Sequence, residues 1–139
     1  VNIGLLLYIP YRDLENRIMA AVTAAGYDVT LAQARVLQRI GPDGTRLTEL
    51  AEAAQVTKQT AGFLVDQLEK AGLVERVPDP TDGRARLVRI TEKAQGAMPV
   101  AAEEMARIEA EWEQHLGKRR MGQLRETLEK LCEITDPYR

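Results

Sequence analysis

The stretch LTELAEAAQVTKQTAGFLVDQLEKAGLVERVPDPTDGRARLVRIT, Leu47 to Thr91, decides the fold. Thr48 is placed to cap a first short helix, because its hydroxyl can accept a backbone N–H that the first turn leaves unpaired. Leu50, Ala51 and Ala54 then share one face at helical spacing. Gln55-Val56 makes a turn, with Val56 as an apolar plug, and Thr57 caps the next helix. In that helix Ala61, Leu64, Val65 and Leu68 recur at i, i+3, i+4 and i+7, which sets a buried face. Successive residues about 100° apart put Gln59, Gly62, Phe63, Asp66 and Gln67 on the opposite face, with Lys58 and Thr60 at its margins. Gly72 ends the helix, since glycine adopts the left-handed C′ conformation without a Cβ clash.

Two strands follow. Leu73 to Val77 and Arg86 to Ile90 have strand character, and Pro78-Asp79-Pro80-Thr81-Asp82-Gly83 between them is turn chemistry throughout. The result is a hairpin with a basic rim beside a capped helix whose outer face is polar. That arrangement is a winged helix-turn-helix.

The run from Leu47 to Ala94 resembles the core of the multiple antibiotic resistance regulator (MarR) family of bacterial transcription factors. The resemblance rests on LVDQLEKAGLVER, Leu64 to Arg76, and on the wing pattern DPTDGRARLVRIT, Asp79 to Thr91. WEQHLGKRRMGQLRETLEKL near the far end and the helix-rich start add weaker support. The resemblance implies a triangular homodimer with its wings outward, a repressor's role, and a small aromatic effector.

Away from this core the chain reads as helices. Leu7, Tyr11, Leu14, Ile18, Ala21 and Ala25 form a seven-residue seam over residues 3–25, where Pro10 either opens the regular helix or kinks a longer one. Gly26-Tyr27-Asp28 ends it. Thr30 with Gln33 forms a capping box before a helix from Leu31 to Ile40, and Thr45-Arg46-Leu47 could add a third strand to the wing. Beyond Thr91, a further cap, Met98, Ala101, Met105, Ile108, Trp112 and His115 continue the seam. Pro99 predicts a bend near Gly96 to Met98. Gly117 precedes a last helix carrying Met121, Leu124, Leu128, Leu131 and Thr135. The expected fold is mainly α with a small β-hairpin wing, in a single 139-residue domain. Residues 30–91 form its DNA-binding lobe, and residues 1–29 and 92–139 its dimerisation helices. So much apolar seam on one small chain predicts a two-fold homodimer.

Composition sets the outer bounds. An apolar share of 45% with 29% charged residues describes an ordinary globular protein. No run of about 18 apolar residues exists to cross a membrane, and Val1 to Ile9 lacks the basic start and cleavage site of a signal peptide. The single cysteine, Cys132, excludes an internal disulfide framework and fits a reducing cytoplasm. A net charge of −2 runs against a DNA-binding reading. The local field decides phosphate contact, however, and Arg84, Arg86, Arg89 and Lys93 face only Glu92 in their segment.

Gln59 can pair bidentately with adenine, and Thr60 can bond a base or touch a thymine methyl. Phe63, the only phenylalanine, lies on the polar face, where thymine methyls would give it a partner; otherwise it tucks under the wing or a neighbouring helix. Thr57 and Lys58 stand where a helix start holds phosphate, and Gln67 completes the candidate reading face. Asp66 repels phosphate unless paired, with a wing arginine as its candidate partner. In the wing, Asp82 and Arg84 can pair across the turn. The resemblance implies that Arg84, and after it Arg86, enters the minor groove, against the plainer reading of a solvated tip.

Tyr8, Tyr11, Arg12, Trp112 and His115 are candidates to line the effector cleft that the resemblance places between the dimer helices and the DNA-binding lobe; aromatics so spaced are more often core. No cofactor or metal is expected, and nothing points to an enzyme: His115 is the one histidine, without a cysteine partner, and no glycine-rich phosphate loop exists. Double-stranded DNA is the expected partner, with no membrane. The alternative is a winged-helix module that binds protein without sequence-specific DNA binding. The acidic total and Phe63 favour it; the basic wing and polar helix face do not.

Overall fold

The computed structural model describes residues 1–136. Its elements are α1 Ile3–Ala24, α2 Leu31–Leu37, α3 Leu47–Ala54, α4 Lys58–Lys70, β1 Val74–Asp79, β2 Asp82–Ile90, α5 Glu92–Gln95, α6 Met98–Leu116 and α7 Lys118–Thr135. The chain divides into two compact units: Val29–Ala97, and a second built from Val1–Asp28 with α6 and α7.

In the Val29–Ala97 unit the core forms where apolar faces at helical spacing meet. Ala61, Leu64, Val65 and Leu68 of α4 are all buried, with Leu50 and Ala51 of α3 and Val36 of α2. Thr30 and Gln33 make the expected capping box in front of α2, each accepting from the other's backbone amide. That helix ends at Leu37, short of Ile40, whose side chain still reaches the core. Helix α4 closes on a Schellman motif. The Leu73 amide donates to the Leu68 carbonyl at 2.9 Å and that of Gly72 to Glu69 at 3.0 Å, with Gly72 at φ 75°. Lys93 and Thr91 add side-chain donors to the Ala71 and Gly72 carbonyls, at 2.8 and 2.6 Å.

Three local expectations are corrected. Thr48 does not cap α3: the N-cap is Arg46, which makes no side-chain cap bond, and Thr48 lies within the helix. The third strand shrinks to one bridge, in which Thr45 and Val88 exchange both backbone bonds, at 2.9 and 2.8 Å. Both follow from Gly44, whose φ of 96° and lack of a Cβ let the loop lie against Leu87, so the chain touches β2 once and turns at once into α3. A Cβ there would sit 2.9 Å from that of Leu87. The hairpin is also tighter than Pro78 to Gly83 suggested. Strands pair from Val74↔Ile90 to Pro78↔Arg86, the register slips, and Asp79 pairs with Asp82 around Pro80-Thr81. Asp79 makes this possible by accepting from the Thr81 amide and hydroxyl, an Asx-type turn.

In the other unit, α1 runs from Ile3 past Pro10, so the proline lies inside the longer of the two helices expected and does not open it. Gly26, at φ 97°, follows its C-terminus. The bend expected near Gly96 to Met98 is a full break between α5 and α6, with Pro99 in the first turn of the new helix, where a missing amide costs no bond. Gly117, at φ 87°, separates α6 from α7. Arg17 of α1 pairs with Glu111 at 2.5 Å and Glu104 at 3.3 Å on α6. Those bonds raise the guanidinium's pKa further and hold the Glu111 carboxyl below its ordinary range. Of the seam residues of α6 only Ile108 is buried, and no residue of α7 is. Cys132 is exposed.

Candidate nucleic-acid interface

The turn between α3 and α4 is set by Gln55, in the left-handed conformation at φ 57°, with its side-chain amide donating to the Glu52 carbonyl at 2.7 Å. Thr57 then caps α4. Its hydroxyl oxygen accepts from the Thr60 amide at 3.0 Å and donates to the Thr60 hydroxyl at 2.9 Å. Thr57 is thereby occupied by the cap, while Thr60 keeps its own hydroxyl proton to donate outward. Lys58, Gln59 and Thr60 are all exposed in this first turn, where the N-terminal end of a helix favours anions.

One turn on, Phe63 is 62% exposed. It is tucked under nothing, so an aromatic ring stands open on a polar face. Asp66 carries the arginine partner expected of it, and the donor is Arg76 of β1, at 2.8 Å, which also reaches Glu69 at 2.7 Å. Sequence reasoning had not singled out Arg76; only the strand's placement beside α4 reveals it. Gln67, also exposed, accepts from the Gln33 side chain of α2 at 3.2 Å, so its amide is tied to a neighbouring helix.

In the wing, Arg84 has a 97% exposed side chain. Asp82 accepts from the Arg84 amide at 3.1 Å, while its carboxylate lies 3.8 Å from the guanidinium, a loose pair that shapes the loop and leaves the cation in solvent. Arg86 is exposed as well, opposite Pro78. Arg89 is instead engaged across the strands with Glu75. At the wing's tip turn Asp79 is buried at 6% exposure and bonded to Arg46. Its pKa falls from 3.8 to about 2, through the two Thr81 bonds first and Arg46 after them.

Four of the five candidate effector residues come together elsewhere. Tyr8, Tyr11, Trp112 and His115 line an apolar groove of 820 Å³ whose walls come entirely from α1, α6 and α7, with Leu7, Leu14 and Leu124 among them. Arg12 is not in its lining; its guanidinium lies 5.6 Å from the centre of the Tyr8 ring, a cation–π distance. Among the described residues no three His, Cys, Asp or Glu are grouped to hold a metal, and no helix is long and apolar enough to cross a membrane.

A capped helix with an open polar face, following a tight turn and flanked by an arginine-bearing hairpin, defines a winged-helix transcriptional regulator that binds DNA. Residues 27–85 match the model of the MarR family. The chain is 26% identical over 142 residues to the HTH-type transcriptional regulator FarR of Neisseria gonorrhoeae, covering 98% of this chain and 91% of that one. Among solved structures it matches MarR with a TM-score of 0.77 at 24% identity, over 97% and 98% of the two chains. It also matches CouR from Rhodococcus jostii RHA1, solved bound to p-coumaroyl-CoA, with a TM-score of 0.72 at 24% identity over 94% and 91%. The matched model and the named relative are those of transcription regulators.

Proposed function

We propose that the protein is a homodimeric repressor that binds a pseudo-palindromic operator and is released from it by a small aromatic effector. The observation that carries this is the open face of α4, on which Lys58, Gln59, Thr60 and Phe63 stand exposed while Arg84 projects from the hairpin of the same unit. Gln59 and Thr60 read base edges, Phe63 packs on thymine methyls, and Lys58 with the first amides of α4 holds phosphate. Arg84 and Arg86 enter the minor groove. Thr57 serves as the cap that fixes this turn, and Gln67 extends the reading face only if its bond to Gln33 opens.

A second copy of the chain covers the terminal helices. Ile3, Leu5, Leu6, Leu7, Tyr8 and Ile9 are all exposed on α1, as are Leu128, Leu131 and Ile134 on α7, more apolar surface than a stable monomer leaves uncovered. That copy also roofs the groove. A planar ligand then lies between Tyr8, Tyr11 and Trp112, with His115 and Arg12 as polar handles. Its binding favours a spacing of the two DNA-binding lobes that no longer matches successive major grooves, roughly 34–36 Å apart. A bacterial cytoplasm is the compartment this function requires.

The test is fluorescence anisotropy with random duplex and with duplex selected by the protein from a randomised pool. Tight binding to the selected duplex, fading steeply with salt, is the expected result. Indifference to sequence and salt would instead favour a protein-binding module.

A further inference from the structure

We propose that Arg46 is a positioning residue for the wing: acting through Asp79, it holds the hairpin tip in the orientation that presents Arg84 to DNA, without touching DNA itself. This rests on the reading that the wing contacts DNA. The slip in register between Pro78 and Asp79 turns the Asp79 side chain inward, where it is buried. Its two oxygens then divide their work. Oδ1 accepts from the Thr81 amide at 2.8 Å and from the Thr81 hydroxyl at 2.7 Å, within the tip turn. Oδ2 accepts from Nε of Arg46 at 2.8 Å and lies 2.7 Å from its Nη2. One carboxylate therefore ties the tip of the hairpin to the N-terminus of α3.

The position of Arg46 makes the tie informative. It is the N-cap residue of α3 but gives no side-chain bond to the cap, so its side chain is spent on the wing alone. Its neighbour Thr45 bridges Val88 in the middle of β2. The hairpin is thus held at two points by consecutive residues, and those residues lead directly into the helix-turn-helix. A two-stranded hairpin is marginal by itself. With the second point cut, the tip retains only its local bonds, Arg84 to Asp82 among them. Its direction relative to α4 is then left to contacts nearer the base, Thr45 with Val88 and Arg76 with Asp66 and Glu69.

A double-mutant cycle tests this, using duplex selected by the wild-type protein from a randomised pool. Arg46→Met keeps the aliphatic stem and removes the fork. It is expected to weaken binding about tenfold, within the range for residues that act through one another. In an Arg84→Ala background the same change is expected to cost less than about twofold, since the tip it positions is already inert. Arg46→Lys, which keeps the charge, should recover part of the loss. Additive losses, or wild-type affinity in Arg46→Met while Arg84→Ala binds weakly, would overturn the proposal and leave the wing reading intact. No effect of Arg84→Ala on affinity or salt dependence would remove the wing reading and the proposal with it. If thermal melts find Arg46→Met unfolded at the assay temperature, Thr81→Val weakens the tie at the other oxygen, removing the hydroxyl's bond and leaving the amide's. The same non-additivity with Arg84→Ala is then expected, and additivity again overturns the proposal.

Discussion

Arg76, on β1, donates to Asp66, on the exposed side of α4, over 2.8 Å, and the same guanidinium reaches Glu69 at 2.7 Å. Helix and wing are joined through a cation that cancels two carboxylates beside the proposed DNA-reading face. Arg76→Ala leaves both carboxylates unpaired near phosphate. Operator affinity should fall about two- to fivefold at low salt, the size of an exposed charge interaction, and less in high salt. Adding Asp66→Asn should restore part of it. Anisotropy titrations at two salt concentrations check both outcomes.

Two glycines should respond to alanine with opposite sign. A Cβ at Gly62 would lie 3.7 Å from Leu47 Cδ2, an ordinary contact, so Gly62→Ala should stabilise by up to about 1 kcal/mol through helix propensity. At Gly44 the φ of 96° and the 2.9 Å approach to Leu87 forbid a side chain. Gly44→Ala should destabilise by about 1–3 kcal/mol or more and loosen the Thr45–Val88 bridge. Urea unfolding of the two variants decides.

Asp79 gives the fold an acid limit. Its folded pKa, about 2, lies below the 3.8 of a free side chain. Its contribution is therefore fully present above 3.8 and is lost as pH falls toward 2, where folded and unfolded forms both bind the proton. Wild-type melting temperature should drop across this window. Asp79→Asn, which has no proton to take up, should start lower and drop less.

A charge on the apolar groove should separate the subunits. Leu7 lines it and is exposed in the single chain. Sedimentation should give two chains for the wild type at micromolar concentration and one for Leu7→Glu, with the α-helical spectrum retained. A one-chain mass for the wild type would remove the dimer.

Short-range features were legible in the sequence because their physics is local. Thr57 as a cap, Thr30 with Gln33, Gly72 as a stop and the Ala61–Leu68 stripe each depend on residues a turn or two apart. What escaped depends on contacts distant along the chain. Thr48 looked like a cap because hydroxyls usually are, but the approach of Gly44 to Leu87 starts α3 earlier. Pro78 to Gly83 looked like loop because proline and glycine break strands, yet Asp79 closes the turn within Pro80-Thr81. Arg46 and Arg76 were invisible as positioning groups, since only the fold brings them to Asp79 and Asp66. Of the groove residues, Tyr11, Trp112 and His115 lie on seams by spacing, with Tyr8 next to Leu7 of the first seam, which predicts their company but not whether a ligand or a second chain meets them.

Chemical footprinting of the selected duplex tests the central claim most directly. With wild-type protein, two patches of major-groove protection one helical turn apart are expected, flanked by minor-groove protection that disappears in Arg84→Ala. A single patch, or protection with no dependence on Gln59, Thr60 and Arg84, would contradict the account.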